Sequence, residues 1–211
     1  MLPVSTILNL SIIVPAIAGI YYFNKINQNY RYFIVSIVTA MLLEYSLEFN
    51  LINFVLIDLI YAVLGPQLIL LMFFNWDTEK IAFYKKALIQ CTILILILID
   101  QYYDYLSIYH IKWGLIACIV GISLYGIRLL TQNQNNLMSE KESTSRKLII
   151  IPYMIFTVYY AAINILMQFL YNTDTSDIFM DLYNVIRWIN LLSYISYTLA
   201  FIWAPKKEKF L

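Results

Sequence analysis

The sequence predicts an all-α, polytopic integral membrane protein: a seven-transmembrane-helix bundle with its N-terminus outside and its C-terminus in the cytoplasm. Composition is the first reason, because 62% of the 211 residues are hydrophobic and only 13% are charged. A soluble domain has about 45–50% apolar and about 25% charged residues. The division of the apolar residues into membrane-length segments is the second reason, and the placement of basic residues between those segments is the third.

Seven segments are long and apolar enough to cross a bilayer. A spanning helix needs about 20 mainly apolar residues, since the hydrocarbon core is about 30 Å thick and a helix rises about 1.5 Å per residue. The predicted spans are residues 5–24, 32–50, 53–75, 82–101, 108–130, 148–171 and 182–204. Of the connections, only 131–147 and 171–181 are long, so residues 1–211 are predicted to form a single transmembrane domain.

The first segment is predicted to remain as an anchored helix. Ala16 and Ala18 imitate the small residues of a signal-peptide cleavage site, but no basic residue precedes this apolar stretch. Lys25 and Arg31 follow it instead. This order of charges is the reverse of that in a signal peptide.

Basic residues decide the predicted orientation. Of the 14 Lys and Arg residues, all except Lys112 and Arg187 fall in the first, third and fifth connections, at the adjoining helix ends or in the C-terminal tail. Because cytoplasmic loops are enriched in Lys and Arg, these segments are predicted to be cytoplasmic. The predicted location is a prokaryotic-type inner (cytoplasmic) membrane, which the chain crosses several times.

Ionisable residues within the spans gather in the predicted outer half. Glu44 lies about 18 Å along the second span from its cytoplasmic end, at about 1.5 Å per residue, and Asp58 and Arg187 lie near the outer surface. A charge at the bilayer centre costs about 2.5–3.5 kcal/mol even on the insertion scale. These side chains are therefore predicted to face the bundle interior, where Arg187 is the expected partner of Glu44. The alternative is a structural ion pair that fixes helix register without any further role.

Polar side chains also recur at the three- and four-residue spacing that defines one face of a helix. Such stripes face protein or water, since lipid offers no hydrogen bonds. Two stripes occur, Tyr153, Thr157, Tyr160, Asn164 and Gln168 in the sixth span and Asn184, Arg187, Asn190, Tyr194 and Tyr197 in the seventh. The predicted ligand-binding or coupling residues are Glu44, Asp58, Asn164, Gln168, Arg187 and Asn190, with Tyr160 and Tyr194 as pocket aromatics.

Gly65-Pro66-Gln67 is the most distinctive local sequence. Proline removes one backbone hydrogen bond from a helix and the neighbouring glycine permits a close approach. A kink is therefore predicted in the third span. Helix breaks near the membrane midplane are where transporters build binding sites, although kinked helices also occur in sensors.

Known seven-helix families do not fit. Residues 182–204 contain no lysine, which retinal-binding rhodopsins require, and His110 is the single histidine, which excludes a His-rich zinc site. Pro66-Gln67 stands alone, without the second motif of the small sugar transporters. The chain also lacks a P-loop, GxSxG and HExxH, so enzymatic activity has little support, and no cofactor, metal site or nucleic-acid partner is predicted.

Two functions are favoured for such a bundle, ahead of a metal-dependent enzyme that acts on lipid head groups at the outer leaflet. The first is a sensor-like or receptor-like protein that binds a small or lipidic ligand in an outward-facing polar pocket and signals to a cytoplasmic protein partner through the fifth connection and the basic tail. The second is a proton- or sodium-coupled secondary transporter of a small solute, with Glu44 or Asp58 as its coupling carboxylate. Intramembrane carboxylates favour a functional site in either case.

Overall fold

The computed structural model describes residues 11–49, 51, 53–77, 81–105, 113–135, 139–170 and 176–206. Within these ranges the regular structure is helical, apart from one isolated bridge between Ile26 and Lys206. A 3₁₀ turn, Gln28–Tyr30, leads into the second α-helix. The α-helices are α1 Ile13–Tyr22, α2 Arg31–Glu48, α3 Phe54–Trp76, α4 Phe83–Tyr105, α5 Trp113–Asn135, α6 Glu140–Leu170 and α7 Ser176–Trp203.

The all-α prediction is confirmed for this part of the chain. Among the described residues, four helices contain a stretch long and apolar enough to cross a membrane: Leu59–Trp76, Trp113–Gln132, Glu140–Leu166 and Asn184–Trp203. Helix α1 is apolar but shorter, and the part of predicted span 5–24 before residue 11 lies outside the described residues. The other predicted spans overlap α2 to α7, each with slightly different bounds.

Helix α6 begins at Glu140, earlier than the residue 148 predicted from hydropathy. An N-terminal cap, which a hydropathy profile does not register, explains the difference. The backbone N–H of Glu142 donates to Ser139 Oγ over 3.3 Å, and two glutamates occupy the first turn. Because negative charge near a helix N-terminus is favourable, part of the predicted 131–147 loop is helical.

Helix α5 is capped by a neighbouring helix. Its Leu115 N–H donates to Oδ2 of Asp100, in α4, over 2.6 Å. Gly114 permits this approach, since a Cβ there would lie 2.8 Å from the carbonyl oxygen of Leu96. The Asp100 carboxylate thus satisfies a backbone donor that the helix itself leaves unpaired.

Six helices form a closed ring, and α4 lies outside it. Around the ring, α1 packs on α2, α2 on α3, α3 on α5, α5 on α6, α6 on α7, and α7 on α1. Helix α4 packs against α3 and α5 from outside, where Gln67 Nε2 donates to the Gln90 carbonyl over 3.0 Å. Its outer apolar side chains, such as Leu88 and Ile95, are exposed.

Glycine brings three ring helices together near one end of the bundle. A Cβ at Gly19 in α1 would lie 2.9 Å from Cγ2 of Ile34 in α2 and 3.3 Å from Cε2 of Phe201 in α7. Any larger residue would force these helices apart, because side chains in a packed interior have little room to move. The three helices therefore pack tightly at this level.

The two ends of the bundle are named here after a residue at each. At one end, here named the Trp76 end, the chain after α1, the end of α3, the start of α6 and the end of α7 meet. The Asn27 N–H donates to the Pro205 carbonyl over 3.0 Å there, and Arg146 contacts Trp76. The opposite end, where α2 finishes, is named the Glu44 end.

Candidate functional site

The helical ring encloses a cavity of about 380 Å³. Residues of α2, α3, α5, α6 and α7 line it, together with Ile12, which precedes α1 directly. Binding pockets for small molecules measure about 300–1,000 Å³ and are walled mainly by apolar and aromatic side chains with a few polar groups. This cavity has that size and that composition.

The cavity reaches the surface of the bundle beside α3. Leu64 lines the cavity and is also 42% exposed. Gly65 is another lining residue, and a Cβ built on it would meet no atom within 4 Å. The α3 wall is therefore open at its midpoint, next to Pro66, whose missing N–H deprives the Ala62 carbonyl of its usual helical partner. Helix α3 nonetheless continues through Pro66 from Phe54 to Trp76.

Helix α2 contributes one stripe of lining residues that ends in a carboxyl group. Phe33, Ser36, Ala40 and Glu44 recur at three- and four-residue spacing and all line the cavity. The distance along the helix from the first to the last is about 16 Å, at about 1.5 Å per residue. The cavity is therefore elongated along α2.

The half-buried Glu44 side chain is joined to α3 through a tyrosine. The Tyr61 hydroxyl lies 2.9 Å from the Ala40 carbonyl oxygen and 3.1 Å from Glu44 Oε1, and donates to these acceptors on α2. The phenol thus ties α3 to two successive turns of α2. Among the described residues, Oε2 of Glu44 has no such donor.

The polar stripes of α6 and α7 partly face the same space. Tyr153, Thr157 and Tyr160 of α6 line the cavity, as do Asn190, Ser193, Tyr194 and Tyr197 of α7. Two of the hydroxyls are already satisfied. Thr157 Oγ1 and Ser123 Oγ are 2.7 Å apart between α5 and α6, and Ser193 Oγ donates to the Ile189 carbonyl over 2.8 Å.

Five other polar side chains on the cavity wall have no hydrogen-bond partner among the described residues. They are Ser36, Thr39, Tyr153, Asn190 and Tyr194. Polar groups buried in protein are nearly always paired with protein, ordered water or ligand. The wall therefore offers hydrogen-bonding capacity that the bundle itself does not use.

The predicted site residues divide into three groups. Glu44, Asn190, Tyr160 and Tyr194 line the cavity. Asn164 and Arg187 are not among its lining residues: Asn164 Nδ2 donates to the Tyr160 carbonyl over 2.8 Å, and Arg187 Nη1 donates to Asn184 Oδ1 over 2.9 Å. Asp58 and Gln168 belong to α3 and α6, but their side chains lie outside the described residues.

The expected pairing of Glu44 with Arg187 is not formed in the described structure. Glu44 accepts from Tyr61, whereas Arg187 bonds to an asparagine of its own helix. Asn184 precedes Arg187 by three residues, so the two side chains meet on one helical face without any contribution from α2. The carboxyl group on the cavity wall therefore has no basic partner within salt-bridge distance in the described residues.

A buried aromatic cluster closes the Trp76 end of the cavity. Phe33 packs edge-on against Tyr197 with 4.8 Å between ring centroids, and Phe201 lies 5.8 Å from Phe33. Phe73 and Trp76 stack at 5.9 Å. Phe33, Phe73, Phe201 and Trp76 are all almost fully buried, so the cavity ends at this layer.

Below the aromatic cluster lies a polar cluster. Arg146 is only 3% exposed. Its Nη2 lies 2.6 Å from Glu142 Oε1, its Nη1 donates to the Trp76 carbonyl over 3.1 Å, and its guanidinium is 5.1 Å from the Trp76 ring centre. Nearby, Tyr125 donates to Asp77, and burial raises the pKa of Tyr30 to about 12. Tyr30 is consequently a neutral group at physiological pH.

Sequence reasoning missed Tyr61, Ser36 and the buried role of Arg146. The regular spacing of Ser36, Ala40 and Glu44 was a usable signal, since it places two polar residues on one face with a small residue between them. Tyr61 precedes Gly65 by one helical turn, which likewise places both on one face of α3. Arg146 gave no such signal, because its place near a helix end resembles that of an ordinary interfacial charge.

Comparison with protein-family models, curated proteins and solved structures gave no significant match.

Proposed function

We propose that the protein is a seven-span membrane protein that holds a small or lipidic ligand in the cavity and acts as a sensor or receptor. The observation that carries this proposal is the cavity itself: it is pocket-sized, elongated and largely apolar, and most of its polar groups belong to α2, α6 and α7. Polar side chains without protein partners are costly to keep on an apolar wall unless something else satisfies them. A ligand with both apolar and polar parts suits such a wall.

The proposed orientation places the Trp76 end in the cytoplasm. Lys25, Arg31, Lys86 and Arg146 belong to segments that adjoin this end of the bundle, and basic residues favour the cytoplasmic side. The N-terminus would then lie outside and the C-terminus inside. In this orientation Glu44 lies in the outer half of the membrane.

The opening beside Leu64 suits a ligand that arrives through the membrane. Leu64 is exposed on the side of the bundle, where a spanning helix would meet acyl chains. A lipidic molecule could enter by this route without first crossing the polar surface of the membrane. This access favours a lipidic ligand over a strongly hydrated one.

The aromatic cluster favours a sensor over a transporter. A solute moving from Glu44 to the cytoplasm would have to pass Phe33, Phe73 and Phe201, which are packed almost without exposure. Beyond them the Arg146 cluster joins α3 to α6. Because packed side chains close the cavity at the Trp76 end, an occupant does not pass through to that end. The same side chains lie between the cavity and the proposed cytoplasmic surface, where they can transmit the effect of ligand binding.

Binding is tested with a thiol placed inside the cavity. Gly65→Cys adds a side chain where no atom lies within 4 Å, and Gly121→Cys does the same on an exposed surface of α5, which makes it a matched control. Both are made with Cys91→Ala and Cys118→Ala, and the protein is reconstituted in phosphatidylcholine nanodiscs. The measurement is the rate of alkylation by N-ethylmaleimide in the presence of 1-octanol.

A ligand-binding cavity predicts saturable protection of the Gly65→Cys thiol. At a concentration about ten times its dissociation constant, 1-octanol should occupy most of the cavities and so slow alkylation about tenfold. The Gly121→Cys rate should not change. Equal rates for both variants at every octanol concentration would contradict ligand binding in this cavity.

The transporter alternative is tested by the side from which the cavity is reached. In sealed vesicles of known orientation, a membrane-impermeant maleimide applied from the Trp76 side should not label the Gly65→Cys thiol, because the aromatic cluster separates that side from the cavity. Labelling from the Trp76 side would mean that the aromatic cluster opens, as alternating access requires.

A further inference from the structure

Among the described residues that line the cavity, Glu44 carries the one formal charge. Among the described lining residues there is no Lys, Arg, His or Asp, so the net charge of this wall is negative when the Glu44 carboxyl is ionised. Arg187 is the cation expected beside it, but it bonds to Asn184 and does not line the cavity. No described Lys or Arg is in direct contact with the Glu44 carboxyl group, so an occupant of the cavity can supply the cation that pairs with it.

The groups around the carboxyl suit a cation. Tyr61, Tyr160 and Tyr194 line the cavity together with Glu44, and Phe156 stacks on Tyr160 with ring centroids 5.9 Å apart. Aromatic faces attract organic cations within about 6 Å, most strongly where water is excluded. Phenol oxygens and an amide oxygen can also accept hydrogen bonds from an ammonium group.

The remaining wall suits an apolar chain. Between Glu44 and Phe33 the cavity runs about 16 Å along α2, from the helical rise, and Ile37, Leu68 and Ile69 line it. The aromatic cluster stops it at the Trp76 end. An occupant with a charged group at both ends would leave the inner charge against buried hydrocarbon, which is costly.

We propose that the cavity binds an amphiphilic organic cation, with an amine or quaternary ammonium group at Glu44 and an apolar chain directed toward Phe33. This inference rests on the proposed function, since it names the class of ligand for the same cavity. The carboxylate, the aromatic rings and the apolar wall each select one part of such a molecule. An anionic head group would be repelled by Glu44 and would find no basic residue among the described lining residues.

The test compares three eight-carbon probes that differ in head group: octyltrimethylammonium, 1-octanol and octanoate. Each is measured by its protection of the Gly65→Cys thiol in phosphatidylcholine nanodiscs, whose zwitterionic lipid does not concentrate ions by net charge. We expect the ammonium to protect at a concentration about tenfold or more below that of 1-octanol, since charge-assisted contacts are the stronger ones. Octanoate should be the weakest of the three.

The Glu44→Gln substitution removes the negative charge of this side chain but keeps its size and shape. Glutamine keeps an oxygen that can accept from Tyr61, so the link to α3 can be retained. The half-protecting concentration of the ammonium should rise about tenfold or more, whereas that of 1-octanol should stay the same. Glu48→Gln is the matched control, because Glu48 is exposed one turn further along α2 and does not line the cavity.

The outcomes distinguish this inference from the proposed function. If 1-octanol and octyltrimethylammonium protect equally in the parent protein, the cation preference is overturned while ligand binding stands. That comparison does not depend on whether Glu44→Gln folds. If no probe protects the Gly65→Cys thiol relative to Gly121→Cys, the proposed function fails and this inference fails with it.

Discussion

Arg146→Met is a direct test of how the Trp76 end is held together. Arg146 bonds both to Glu142 Oε1, at 2.6 Å, and to the Trp76 carbonyl, at 3.1 Å. Methionine retains an unbranched apolar side chain but cannot make either contact. The substitution leaves the Glu142 carboxylate without its partner while avoiding a large cavity.

The expected loss of stability follows from burial. Removing one partner of a buried ion pair costs about 3–5 kcal/mol, and the lower end applies because the Glu142 side chain retains 21% exposure and can be partly hydrated. For a chain of about 150–250 residues, each kcal/mol shifts the melting temperature by about 2–4 °C. A loss of about 3 kcal/mol therefore lowers it by about 6–12 °C.

Thermal unfolding of parent and variant in the same detergent measures this change. Lys141→Met is the control, because Lys141 is exposed in the same first turns of α6. Adding Glu142→Gln to Arg146→Met should recover part of the loss, since it removes the stranded carboxylate. An Arg146→Met melting temperature equal to that of Lys141→Met would refute the proposed role of the buried arginine.

Three further substitutions test the cavity and the helix contacts, each by thermal unfolding in the same detergent. Gly65→Phe should raise the melting temperature by filling part of the 380 Å³ cavity and should abolish saturable 1-octanol binding, whereas Gly121→Phe should leave that binding unchanged. Tyr61→Phe should cost about 1–3 kcal/mol, since it removes the donor to Ala40 and Glu44; an unchanged melting temperature would contradict that link. Gly19→Leu should cost about 1–3 kcal/mol or more by overpacking against Ile34, and a stable variant would contradict the tight α1–α2 contact.

The helices were predictable because hydropathy and segment length report directly on apolar helices. The inward position of Glu44 followed from the cost of a charge facing lipid. The hydrogen-bond partner of Glu44 could not be predicted from the sequence, since it depends on how each helix is rotated about its own axis. Tyr61 faces α2 across the ring, whereas Arg187 finds an amide three residues away on its own helix.

The peripheral position of α4 also could not be read from the sequence. Its apolar residues, such as Ile97, which is buried, and Ile95, which is 56% exposed, are chemically alike. Lipid is as apolar as a protein core, so composition does not distinguish an inner helix face from an outer one. Only the packing of α3 directly on α5 leaves α4 outside the ring.

The start of α6, in contrast, could have been predicted, because the sequence contains a helix N-cap pattern there. The hydropathy profile alone placed the start too late. Ser139 and Glu142 have the spacing of a capping box, and Ser139 accepts the Glu142 N–H. Because the residues that follow are polar, the apolar stretch alone placed the beginning too late. The buried Arg146 lies in this extension, which is why its role in joining α6 to α3 was not predicted.

In the proposed sensor, the aromatic cluster would transmit the effect of ligand binding from the cavity to the Trp76 end. Phe33 and Tyr197 line the cavity and also pack against each other in that layer. A ligand that contacts Phe33 and Tyr197 would shift the aromatic cluster from one packing arrangement to another only if it bound the second arrangement more tightly than the first. Ligand-dependent protection of amides around Trp76 from hydrogen exchange would report such coupling.

The central claim, that the helical ring holds a ligand, is tested most directly by a crystal structure grown with 8-bromo-1-octanol and measured at the bromine absorption edge. The account predicts an anomalous peak inside the ring, within van der Waals distance of Gly65 and on the Glu44 side of Phe33. A peak confined to the outer surface of the bundle, with the interior filled by repacked side chains, would contradict it.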